Sequence, residues 1–289
     1  MKQMILVSGR SAGGMVRRVK PSFEIVCCVD SFVTGPLCEI SDFDRFTDTR
    51  RAYWQTIPMD LSWFGPKPEF SIWDAILPPM TQRIRGVDRF EIWVGSDVQD
   101  TTFSIFAILY LADNGVDPSQ VFLRHFHSEN GHGLGVLNEE ELRSAGRVQS
   151  VDVEEVDRLK TVWAVMCAFT QGRDAPPVPA LGALEAKMLG ILKRRWPNPE
   201  SGLTNIQRYL LEVAPTERKK AAYFVGHAMG CAMDHGDVVG DAVLFEELKK
   251  MAHPDVGEPL FEIFGSGHYM RRTEAVLTPA GRAIQAQLV

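Results

Sequence analysis

Three groupings in this 289-residue chain have the residue types and spacing to do chemistry. The first is the segment SGRSAGG at residues 8–14, directly after the apolar run MILVS at residues 4–8. A strand, a glycine-rich turn over residues 9–14 and a helix over residues 15–20 would aim backbone N–H groups at an anion. Gly9, Arg10, Ser11 and Gly13 are the binding residues expected there, with Arg17 and Arg18 adding positive charge nearby. The segment has neither G-x-G-x-x-G nor a Walker lysine, so it specifies no dinucleotide, no triphosphate and no cofactor. The second grouping is carboxylate: Asp30, which ends one apolar run, and Asp97 and Asp100, which follow another. Asp97 could accept from a ribose hydroxyl, act as a base or help hold a divalent cation. Asp30 could instead order its own turn, and Asp100 could cap a helix starting at Thr101. The third is HFHSENGHGLG, with His125, His127, His132 and Glu129. H-x-H on a strand sends both imidazoles to one face, which suits zinc or iron, but a complete site would need ligands from elsewhere. No metal is therefore assigned. G-x-S-x-G, H-E-x-x-H and a Cys–His nucleophile signature are all missing, so no reaction is specified.

The elements that must position these groups alternate. Continuous apolar runs at residues 4–8, 23–30, 90–95 and 120–126, bounded by turn signals, predict buried parallel strands. Residues 101–114 have helical length, with Asp100 or Thr101 as N-cap and Gly115 just past the end. If the four runs are parallel, Asp30, Asp97 and the residue 9–14 turn share the carboxyl edge of one sheet, where open α/β sheets bind ligands. The stretch 51–85 is rich in Trp and Pro and reads as a helical insertion. Its Trp54, Trp63 and Trp73 could line a pocket, although aromatics at irregular spacing more often belong to a core.

From residue 151 the pattern turns helical. Val156, Leu159, Val162, Trp163 and Met166 recur at helical spacing, APPVPA at residues 175–180 reads as a linker, and residues 181–196 resume as a helix. Helices are then predicted over residues 204–214, 216–233 and 240–251. A hairpin follows over 259–264 and 268–277 around Gly265-Ser266-Gly267, and a last helix opens at Thr278-Pro279. Three helices followed by a β-wing is the winged-helix order. A DNA-reading third helix would want basic or amide side chains, yet GDAVLFEELKKM sets Asp241, Glu246 and Glu247 against Lys249 and Lys250. The last ninety residues carry nine Lys/Arg and twelve Asp/Glu, so nucleic acid is disfavoured and a packing or protein-contact role favoured.

Composition agrees with a globular chain: 45% hydrophobic, 24% charged, formal net charge −6. That charge opposes wholesale phosphate neutralisation. Five cysteines without C-x-x-C spacing suggest reduced thiols. The apolar run at the start is short and interrupted by Gly9 and Arg10, so no signal peptide is expected. No apolar stretch is long enough for a membrane span, and a cytoplasmic protein is expected.

Several segments, in order, resemble the bacterial family described as "domain of unknown function 1835". They are VSGRSAGGMVRR, DSFVTGP, WVGSDVQD, GLGVLNEEEL, SGLTNIQRYLL, VVGDAVLFEELKKMA and AVLTPAGRAI. The resemblance covers nearly the whole chain outside residues 51–85. It implies the same fold and carries no activity with it.

The expected fold is α/β: a Rossmann-like parallel-sheet domain over residues 1–150, a helical region over 151–200, and a winged-helix-like unit over 201–289. The expected function is binding of a small phosphorylated or nucleotide-like ligand by Gly9, Arg10, Ser11, Gly13, Asp30, Asp97 and Asp100. A ligand-responsive regulator and a protein-binding module of inhibitor or immunity type are the alternatives.

Overall fold

The computed structural model describes residues 1–57, 70–74, 78–128, 131–144, 146–178 and 180–288. Glu129, Trp63 and much of the 51–85 insertion lie outside the described residues. Two compact units emerge: Met1–Ala52 with Phe70–Lys193, and Tyr53–Glu69 with Arg194–Val289.

In chain order the first unit contains β1 (Gln3–Ser8), α1 (Gly9–Val19), β2 (Glu24–Cys28) and α2 (Phe43–Thr56), whose last residues pass the unit boundary. The short α3 (Met80–Arg83), β3 (Arg89–Val94), α4 (Val98–Asp113) and β4 (Val121–His125) follow. Then come α5 (Glu139–Arg143), β5 (Arg147–Ser150), α6 (Val153–Thr170) and α7 (Ala183–Lys193). The sheet runs β2-β1-β3-β4-β5. Its first four strands are parallel and β5 is antiparallel to β4. The four apolar runs are thus the four parallel strands. β5 carries no such signal because all its residues are exposed, and an edge strand with nothing to bury need not be apolar. The edge beside β2 is partly covered: Val29 donates to Ile72 O at 2.8 Å and Asp74 to Cys27 O at 2.9 Å.

Helices lie on both faces. Ile5, Val7, Ile25, Cys27 and Trp93 pack with Ala12 and Val16 of α1 and Leu142 of α5. Gly13 faces Cys27 so closely that a Cβ there would stand 2.1 Å from the thiol sulfur. Burial raises that thiol to about 12, with Asp74 adding to the effect, which leaves it protonated and inert. On the other face α4 contacts α6 and α7 and is buried along nearly its whole length, as expected of a helix apolar all round. Phe32, Phe46, Phe106 and Trp163 pack there with ring centroids 4.4–6.2 Å apart. Trp73 joins them at 5.6 Å from Phe106, as core.

Two helix starts differ from expectation. Residues 9–14 are not a turn: α1 begins at Gly9, which takes φ +80°, a left-handed value at which a side chain would be strained. The N-cap of α4 is Asp97 rather than Asp100 or Thr101; its Oδ1 accepts from Asp100 N at 2.7 Å.

The second unit contains α8 (Asn205–Glu212), β6 (Lys219–Lys220), α9 (Ala221–Asp234) and α10 (Asp241–Met251), then β7 (Phe261–Phe264), β8 (Glu274–Leu277) and α11 (Pro279–Leu288). Its three-stranded antiparallel sheet has the order β6-β8-β7. Leu210, Phe224, Leu244, Leu248, Phe261 and Leu277 share its core. The helix expected over 216–233 starts only at Ala221, because Lys219 and Lys220 pair with β8 instead. The hairpin is also looser than expected, with a 3-10 turn at Met270–Arg272 before β8. Among the described residues no helix is long and apolar enough to cross a membrane.

Candidate functional site

The strand order reverses between β1 and β3, and open α/β sheets characteristically bind ligands at such a point. Here the protein's own groups bridge it. Gln99 Nε2 donates to Ser8 Oγ at 3.0 Å and to Asp30 O at 3.3 Å, and its Oε1 accepts from Ser31 Oγ at 2.7 Å. One side chain of α4 thereby ties together the ends of β1 and the β2 loop.

Asp30 is buried with Arg50. The guanidinium donates Nε to Asp30 Oδ2 at 2.7 Å and Nη2 to Oδ1 at 2.9 Å, and both side chains are 0% exposed. The remaining Arg50 hydrogens go to the carbonyls of Ser31, Thr34 and Pro36 at 2.8–3.1 Å. Asp30, expected at a ligand, therefore anchors the loop after β2 to α2.

Asp100 is also taken inward. At 3% exposure its Oδ2 accepts from Gly95 N at 2.7 Å and Leu134 N at 2.6 Å, pinning the loop after β4 onto the end of β3. The approach needs glycine at 133, where a Cβ would stand 1.8 Å from Asp97 Oδ2. Asp97 thus caps α4 while lying against that loop. Of the expected ligand-binding residues, Arg10 and Ser11 remain exposed on the first turn of α1, and Gly13 serves helix–sheet packing.

Burial pushes the Asp100 carboxyl up to about 6 from an ordinary 3.8, against the two backbone N–H groups that favour its charge. A carboxyl with a raised folded pKa holds more protons folded than unfolded between those values, so it makes stability fall as pH rises through that window. Asp100→Asn keeps an oxygen for Gly95 and Leu134 and removes the titration. The urea midpoint of Asp100→Asn relative to the parent is expected to rise between pH 3.8 and about 6. A difference independent of pH would contradict this assignment.

Open space lies at the carboxyl end of β4. A cavity of about 610 Å³ is walled by Ser96 beyond β3, His125 and His127 at the end of β4, Glu141 of α5, and Arg147 and Gln149 of β5, with Phe126, Leu137 and Leu184 among its apolar lining. The antiparallel register sets Arg147 opposite His125. Burial, and then the Arg147 guanidinium, hold the His125 pKa below the ordinary histidine value, which keeps its imidazole neutral near pH 7. Ser96 Oγ accepts from Ser128 N at 3.4 Å, and Ser96 N donates to His132 O at 2.8 Å, so the third histidine anchors the cavity rim through its backbone. Glu141 Oε2 accepts from Asn138 N at 2.6 Å in the α5 capping box, which commits that oxygen to local structure. His125 and His127 do share one cavity, as H-x-H at a strand end requires. Among the described residues the three histidines form no cluster of metal-ligand spacing.

The cavity offers a cation, a neutral imidazole, a hydroxyl and apolar walls. That combination suits an anionic group attached to a flat or apolar body. Sequence reading missed Arg147, Ser96, Gln149, Gln99 and Arg50. The isolated Arg147 after Gly146 looks like any loop cation until β5 is paired with β4.

Compared with known proteins, the chain matches no protein-family model and no curated protein.

Proposed function

We propose that the first unit binds a small phosphorylated or nucleotide-like ligand in the cavity at the carboxyl end of β4, with Arg147 receiving the anion. The observation that carries this reading is the convergence of Arg147, His125, His127 and Ser96 on one cavity of about 610 Å³, a volume in the usual range of small-molecule sites. Neutral His125 can accept from or donate to a ligand hydroxyl or phosphate oxygen, and Phe126, Leu137 and Leu184 would receive a base or apolar body. The site lies one to two strands from the residue 9–14 turn and Asp30 first expected at the carboxyl edge, where Gln99, Asp97 and Asp100 are engaged with the protein's own groups. A cytoplasmic setting and kinship with the "domain of unknown function 1835" family belong to the same proposal.

Calorimetric titration with inorganic phosphate, sugar phosphates and nucleoside mono- and triphosphates tests it. At least one phosphorylated compound should bind. Arg147→Gln should weaken it by roughly 10- to 100-fold, the loss of about 1.5–3 kcal/mol in charge-assisted hydrogen bonding. Equal binding by Arg147→Gln, or no binding across the panel, would overturn the proposal.

The second unit favours a regulatory or protein-contact reading. Its helix, strand, helix, helix, strand, strand order with the sheet β6-β8-β7 supports a winged-helix-like assignment. On α10, Lys249 pairs with Glu246 at 2.6 Å and Lys250 with Glu247 at 3.6 Å, so the cations of the helix that would enter a DNA groove are matched by its own carboxylates. Contact with protein fits that surface better than contact with phosphate backbone.

A further inference from the structure

Glu212, Cys231 and His235 bring three different metal-ligating groups together in the second unit, far in sequence from the cavity. Cys231 and His235 are four residues apart, on α9 and at its C-cap, so they share one helix face. Glu212, the last residue of α8, comes from the neighbouring helix. Their ligand atoms all lie within 4.8 Å of one another.

We propose that Glu212, Cys231 and His235 form a zinc-binding site with three protein ligands and a fourth position open to water. Zinc–sulfur and zinc–nitrogen bonds of about 2.3 and 2.0 Å place neighbouring tetrahedral ligands roughly 3.5 Å apart. Cys231 Sγ already stands 3.5 Å from Glu212 Oε2, so only the exposed His235 ring needs to swing inward. An outer contact orients the carboxylate ligand, as such sites require. Arg208 Nε donates to Glu212 Oε1 at 2.6 Å, which leaves Oε2 facing the thiol. Tyr209 stacks on the His235 ring with centroids 5.7 Å apart, and its hydroxyl donates to buried Asp237 at 3.2 Å. Coordination replaces the Cys231 thiol proton, which leaves to solvent, and the metal keeps its oxidation state. A thiolate, an imidazole and a carboxylate select zinc over magnesium or calcium, which prefer oxygen ligands alone.

The test uses the full chain, reduced and stripped of metal, titrated with Zn²⁺ against a chromophoric chelator and with Co²⁺ as a spectroscopic probe. One equivalent of zinc should bind, and cobalt should give a thiolate-to-metal charge-transfer band with the visible bands of a four-coordinate ion. Cys231→Ala should abolish the charge-transfer band. Cys231→Ala and His235→Ala should each weaken zinc at least about tenfold, while His125→Ala with His127→Ala should leave zinc binding unchanged. Both α9 positions lie at or near the surface, and metal-free melting curves matching the parent would show that the variants fold. Failure of the parent to compete with the chelator, or an unchanged cobalt spectrum in Cys231→Ala, would overturn the proposal. If either α9 variant melts early, Cys231→Ser, which preserves the shape, is expected to lose the charge-transfer band at parental stability; retention of the band would overturn the proposal too.

Discussion

Arg50→Met is expected to destabilise the first unit by about 3–5 kcal/mol, the usual cost of stranding one member of a buried ion pair. The variant leaves the Asp30 carboxylate without the bidentate partner it meets at 2.7 and 2.9 Å, in a place that water does not reach. It also removes the donors that hold the carbonyls of Ser31, Thr34 and Pro36. Those carbonyls separate this pair from a simple salt bridge. Replacing both charges, as in Asp30→Leu with Arg50→Met, relieves the stranded charge but leaves the carbonyls unsatisfied. The double variant should therefore recover only part of the loss. Urea denaturation with hydrogen exchange read over the first unit measures both. A double variant as stable as the parent would mean that the carbonyl bonds contribute nothing.

Asp237→Ala should cost the second unit a similar amount, about 3–5 kcal/mol. Asp237 is 0% exposed and receives Arg195 at 2.7 and 2.8 Å, Asn205 Nδ2 at 2.9 Å and the Tyr209 hydroxyl at 3.2 Å. Truncation removes the acceptor from all three at once, and the Arg195 side chain is only 10% exposed. Asp237→Asn keeps the shape and one acceptor oxygen, so it should fall between the parent and Asp237→Ala. Hydrogen exchange over α8 and α9 should report the loss, with exchange over β1 and β3 unchanged. Equal stability of Asp237→Ala and the parent would contradict the role given to this cluster.

The features legible in the sequence are those that local physics determines. Strands β1 and β3 are buried on both faces, so their apolar runs announced them. Helix α6 follows Asp152, which caps it by accepting from Glu155 N at 2.8 Å. Thr278 does the same for α11, accepting from Gly281 N at 3.0 Å ahead of Pro279.

What stayed hidden depends on partners distant in the chain. Arg50 sits in DTRRAYW and looks like a solvated helical residue; only the return of α2 over the loop after β2 brings it to Asp30, twenty positions earlier. Asp97 and Asp100 were found as a pair, yet their roles depend on a loop thirty-odd residues further on, which neither spacing nor residue type could place. Arg147 reaches the cavity wall only through β5, an exposed strand with no apolar period to reveal it. The cavity lies at the carboxyl edge of the sheet, and the strand at which it opens is set by tertiary contacts.

The most direct measurement is a crystal structure of the protein soaked with whichever phosphorylated compound titrates most tightly. The account predicts ordered density with a phosphate within hydrogen-bond reach of Arg147 and His125, and the rest of the molecule against Phe126 and Leu137. Density at Gly9, Arg10 and Ser11 with the β4 cavity empty would contradict it and return the site to the start of α1.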